Sequence, residues 1–178
     1  MQWILKLNAR FQPIHRFELE DALQEIFQRE GMGGVTGGGT VQNADGEIIS
    51  CDIEFELEED VSKNISRLVG LLNAIGIPKG SVLKGAKEIA VGTLEGLAYY
   101  LNGTELSDEV YQNCDINYVI EQMEAKLQGI GRMYSYWEGA QWTGLYFYGK
   151  SFDQMKKKIK PVISSYPLCQ KSRIEQIA

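Results

Sequence analysis

Four carboxylates stand at every second position of the stretch SCDIEFELEED: Asp52, Glu54, Glu56 and Glu58. On a β-strand this spacing puts all four on one face, because successive side chains point to opposite sides. The interleaved Cys51, Ile53, Phe55 and Leu57 make the other face apolar. Acids aligned this closely repel one another unless cations answer them. Three chemistries fit such a row: a docking face for a basic protein, a clasp for a hard divalent cation, or a carboxylate pair for acid–base work. No histidine or other spaced ligand accompanies the acids, so a metal has little support. Lys6 and Arg10, on the polar side of the earlier run WILKLNARF, are expected to neutralise part of the row.

A second concentration of chemistry lies in YSYWEGAQWTGLYFY, which reads as an aromatic hairpin. With Phe147 pointing inward, as Phe55 does, Trp142, Tyr146 and Tyr148 turn to the opposite face. Tyr and Trp join a large apolar area to a polar tip and are enriched at interfaces. Trp142, Tyr146 and Tyr148 are therefore candidate partner-binding residues together with the four acids. Tyr134, Tyr136 and Trp137 are candidates for lining a small-ligand cleft. The competing reading makes all of them core, between repeats or in a homodimer.

The run GMGGVTGGGT, Gly31 to Thr40, invites comparison with phosphate loops, which sit after a strand and open a helix. Here the order is reversed: a helix precedes the glycines and a strand follows. Helix C-termini carry partial negative charge, the wrong sign for phosphate. Gly31 or Gly33 is expected to supply a left-handed helix cap. Gly37, Gly38 and Gly39 mark a bulge, or a place where something approaches the backbone closely. His15, the lone histidine, reads as a loop or capping residue. Lys156, Lys157, Lys158 and Lys160 read as the solvated side of an amphipathic helix, and Asp115 as an N-cap. Cys51, Cys114 and Cys169 have no metal-site or disulfide spacing and read as buried reduced thiols.

The elements that must position these residues recur twice. Leu68, Leu72 and Ile75 precede Ile159, Ile163 and Tyr166 by 91 positions each, on two amphipathic helices followed by Pro78 and Pro167. Each half reads β-α-β-β-α-β, the ferredoxin-like order. The expectation is an α+β protein of two ferredoxin-like repeats, at 1–90 and 91–178, with antiparallel sheets and helices on one face, packing either as separate domains or as one. Net charge is −6 over 178 residues. Residues 1–90 carry 9 basic and 14 acidic side chains, whereas 91–178 carry 9 and 10. An acidic first half argues against nucleic acid as a partner. No apolar run is long enough for a membrane helix and no leader pattern opens the chain, so a cytoplasmic protein without membrane partners is expected.

The tail YWEGAQWTGLYFYGKSF…YPLCQKSRIEQIA, with VTGGGT and IGIPKGS upstream, resembles an uncharacterised family of small bacterial proteins. In size, charge and exposed acid the chain is similar to small immunity proteins that neutralise a cognate toxin. The resemblance implies a non-catalytic module that binds a basic protein, without a cofactor. The alternative is a small-molecule binder with an aromatic cleft between the repeats. An enzyme using the strand carboxylates ranks third, because no catalytic triad, metal spacing or cofactor fingerprint supports it.

Overall fold

The computed structural model describes residues 1–58 and 61–178. Two compact units emerge, Met1–Leu94 and Glu95–Ile177. The first contains β1 (Gln2–Leu7), α1 (Pro13–Glu30), β2 (Gly33–Gln42), β3 (Ile48–Leu57), α2 (Val61–Ile75), β4 (Ser81–Lys84) and β5 (Glu88–Val91). The second contains β6 (Glu95–Asn102), α3 (Asp108–Asn113), α4 (Ile116–Leu127), β7 (Gly131–Glu138), β8 (Trp142–Gly149), α5 (Phe152–Ser165) and β9 (Arg173–Gln176).

Among the described residues, the first sheet runs β2-β3-β1-β4-β5 and the second β7-β8-β6-β9. Both contain the same antiparallel arrangement: the first and third strands of a repeat are central, the second and fourth flank them. This is the split β-α-β topology of the ferredoxin-like motif. The fold is thus α+β with two ferredoxin-like repeats. The first repeat adds β5 through a hairpin; the second inserts the short α3.

Strand alternation builds the core of the first unit. Trp3, Leu5 and Leu7 of β1 and Cys51, Ile53, Phe55 and Leu57 of β3 are all buried. Leu23 and Phe27 of α1 and Leu68 and Leu72 of α2 cover them. The Phe27 and Phe55 rings lie 5.3 Å apart. Helix α1 begins with Pro13, whose fixed φ suits a first turn. It ends at Gly31, in the left-handed region at φ 59°. The Met32 N–H donates to the Phe27 carbonyl and the Gly31 N–H to that of Gln28, a Schellman ending closed by buried Met32 and Phe27. His15 sits inside the first turn of α1, not ahead of it; Gln12 holds the cap position.

In the second unit, Leu97, Tyr99 and Leu101 of β6 meet Leu145 and Phe147 of β8 beneath Val119, Met123 and Leu127 of α4 and Met155, Ile159 and Val162 of α5. Asp115 caps α4 by accepting from the Asn117 N–H at 2.8 Å. Ser151 caps α5 in the same way, accepting from the Gln154 N–H. The four lysines of α5 are solvent-exposed. No helix among the described residues is long and apolar enough to cross a membrane.

Candidate functional site

The acidic row lies on the face of the first sheet turned away from the helices. Asp52 and Glu54 are half-buried and Glu56 is exposed. Glu58, just past the strand, is exposed as well. On the β1 side Asp52 stands opposite Lys6, Glu54 opposite Ile4 and Glu56 opposite Gln2. On the β2 side the opposed residues are Gly39, Gly37 and Gly34 respectively. Beside Asp52 and Glu54 that flank thus carries no side chains, whereas the bulge turns Gly34 toward Gln24 of α1. Among the described residues, neither Asp52, Glu54 nor Glu56 forms an ion pair. Arg10, expected to answer the row, instead pairs with Glu47. Lys84 pairs with Glu88 on the β4–β5 hairpin. Gln2, Ile4, Glu54, Lys84 and Gly85 line a shallow recess of about 350 Å³ on this face.

The glycine run is explained on both faces of β2. On the helix face, a Cβ on Gly38 would lie 2.3 Å from an Arg16 guanidinium nitrogen and 2.6 Å from the Asp52 carbonyl oxygen. Arg16, itself buried, forms an ion pair with Glu20 at 2.7 Å directly over this glycine. One turn further along α1, the Gln24 side chain accepts from the Val35 N–H at 2.7 Å. The face that α1 turns to the sheet is thus partly polar, and Phe17, which a purely apolar helix face would bury, is 50% exposed. Gly33 has φ 129°, and a Cβ there would strike the Glu56 carbonyl. A bulge lies between Val35 and Gly37. On the acidic face the situation is opposite: a Cβ on Gly39 would meet nothing within 4 Å, and one on Gly37 only Glu54 Oε2 at 3.8 Å.

The aromatic hairpin divides between two faces. Strand register places Trp142, Tyr146 and Tyr148 together, opposite Asn102, Ala98 and Gly96 of β6. Tyr146 and Tyr148 are each only 1% exposed, however, so neither presents its ring for partner contact; Trp142 is half-buried. Their surroundings explain this. Tyr146 meets Tyr100 edge-on at 6.3 Å and its hydroxyl leans over Gly144. Tyr148 meets Tyr134 at 5.6 Å. Arg173 of β9 stacks over Tyr100 at 3.9 Å and reaches the Trp142 ring at 5.0 Å. A bulge between Met133 and Ser135 changes the alternation of β7. Tyr136 consequently falls opposite Leu145, on the helix-bearing side, whereas Trp137 falls opposite Gly144. Tyr134 lies under Arg132 at 4.3 Å, and the Trp137 ring folds onto Gly139 of its own turn. Tyr134, Tyr136 and Trp137 therefore do not share one lining.

The buried thiols are chemically quiet. Cys51 Sγ lies 3.5 Å from the carbonyl oxygens of Ala9 and Phe11. Burial pushes the thiol up to about 11, so it stays protonated at neutral pH and is no nucleophile. Burial also raises Cys169, beside the buried Tyr99 hydroxyl. Cys114 is half-buried, more open than its sequence context implies. Sequence reasoning missed the bare flank of the acidic row, although its signal was present: Gly37 and Gly39 stand two apart, on one face of a strand.

Strand order defines a scaffold of two ferredoxin-like repeats. No protein-family model matches the chain, and no curated protein matches it. Among solved structures, the chain is similar to the first two RRM domains of a yeast poly(U)-binding protein, with 12% identity, 99% of each chain covered and a TM-score of 0.26. It is similar also to a heme-binding protein from Thermus thermophilus, with 12% identity, 98% of this chain and 87% of that one covered, and a TM-score of 0.29. A third similar structure is an anthrone oxidase-like protein, at 10% identity and a TM-score of 0.26, with 99% and 93% covered. At these scores none bears on function, and the topology rests on the strand order alone.

Proposed function

We propose that the protein is a non-catalytic binding module whose partner is a basic protein, docked on the acidic face of the first sheet. One observation carries this reading: Asp52, Glu54 and Glu56 form a row on an open sheet face, and among the described residues no ion pair neutralises them. Aligned, unpaired carboxylates raise the negative potential and draw in cationic surfaces, accelerating encounter more than they deepen affinity. Glu58, exposed just past the strand, adds a fourth carboxylate. An immunity-like role, in which the module covers a basic toxin, is the specific form of this reading.

The test compares the wild type with the triple variant Asp52→Asn/Glu54→Gln/Glu56→Gln. Each is used to capture proteins from the native host at low and moderate salt. The expected result is one dominant basic protein, lost as salt rises and absent with the variant. Capture that is indifferent to the three substitutions would remove the acidic face from the function.

A further inference from the structure

We infer that the basic partner binds by adding a β-strand to the free edge of β2, with alternate Lys or Arg side chains lying across Gly37 and Gly39 onto Glu54 and Asp52. The inference rests on the proposed acidic docking face and says how that face is used. Among the described residues, strand β2 ends the first sheet, with only β3 beside it. An edge strand offers backbone N–H and C=O groups to an incoming chain, and extended peptides commonly bind proteins this way. Thr36, Gly38, Val41 and Gln42 along this edge are exposed.

Charge and shape select the occupant. An added strand lies two strand spacings, about 10 Å, from β3. Ordinary side chains on β2 would fill that interval. Here the residues facing Glu54 and Asp52 are Gly37 and Gly39, and the space above Gly39 is open. A trough of bare backbone therefore joins the sheet edge to the carboxylates. The four-carbon stem of a lysine can lie along it with its ammonium at the acids. Because Asp52 and Glu54 stand at period two, a strand presenting cations at period two meets both in register. A second copy of this chain is the poorer occupant: its own β2 brings glycines and its net charge is −6.

The probe is a fluorescein-labelled heptapeptide of alternating Lys and Thr, compared with a peptide of identical composition in which the lysines form one block. Binding is read by anisotropy, and the β2 amides by NMR. The expected result is at least tenfold tighter binding of the alternating peptide, with slowed exchange of amides between Thr36 and Val41. The variant Gly39→Val, which the open space accommodates, is expected to lose at least tenfold in affinity for the alternating peptide while keeping the native spectrum elsewhere. Equal or tighter binding of the block peptide, unchanged β2 amides, or full affinity in Gly39→Val would overturn strand addition while leaving acidic docking intact. No binding of either peptide would overturn both. Protection of the β2 amides in the free protein, with a dimer in sedimentation, would assign the edge to a second copy and overturn the inference.

Discussion

Two neighbouring glycines of β2 make opposite demands on a side chain. Gly38 lies under the Arg16–Glu20 pair, and Gly39 faces open space. Gly38→Val is expected to destabilise the protein by about 2–4 kcal/mol, since neither the ion pair nor the Asp52 carbonyl can withdraw without loss. Gly39→Val is expected to change stability by less than about 1 kcal/mol. Chemical denaturation of the two variants checks the contrast. Cys51 gives a second expectation at this scale. Below its ordinary value of 9.0 the thiol is protonated both folded and unfolded, and stability does not depend on it. Between about pH 9 and 11 the unfolded chain releases this proton and the folded chain keeps it, so stability falls as pH rises, by roughly 3 kcal/mol in total. Cys51→Ala is expected to flatten this alkaline decline, measured by denaturation at pH 8, 9, 10 and 11. Native protein is expected to react with a thiol reagent at Cys114 long before Cys51.

At the scale of elements, the second sheet shows how a tyrosine-rich face becomes structural. Small residues on β6, Gly96 and Ala98, stand opposite Tyr148 and Tyr146, and Arg173 lies over Tyr100 and Trp142. A cation over an aromatic face contributes about 0.5–2 kcal/mol, more as water is excluded. Arg173→Ala is expected to cost about 1–2 kcal/mol, and Tyr146→Ala about 3–5 kcal/mol as a buried aromatic truncation. Thermal unfolding of both variants measures the difference. A Tyr146 truncation that unfolds like the wild type would return that side chain to the list of surface contacts. Helix α4 adds a local expectation: Asp115→Ala removes a cap and is expected to cost about 1 kcal/mol.

For the molecule as a whole, charge is distributed unequally along the chain. Residues 1–90 hold a balance of −5 and 91–178 one of −1. Long-range attraction of a basic partner is therefore expected to originate in the first repeat. The Asp52→Asn/Glu54→Gln/Glu56→Gln variant is expected to slow association with a basic partner by at least tenfold at low salt, with a smaller change in dissociation. Stopped-flow measurements over a salt series read both rates. Equal association rates at every salt concentration would place the steering elsewhere.

Much of this was legible in the residues themselves. Period two in SCDIEFELEED determined both the buried face of β3 and its acidic face, because a strand offers only two sides and water accepts only one of these sets. Helix periodicity and the order of elements determined two ferredoxin-like repeats. Tertiary structure alone decided how neighbours use those faces. The β7 bulge, invisible in composition, separated Tyr136 from Tyr134, which regular alternation would have put on one face. Arg10 turned to Glu47, and among the described residues Asp52, Glu54 and Glu56 form no ion pair, since ion pairs depend on distances that alternation does not encode. The glycines acquired distinct roles only when α1 was laid against β2: the helix closes the space over Gly38, and nothing closes it over Gly39.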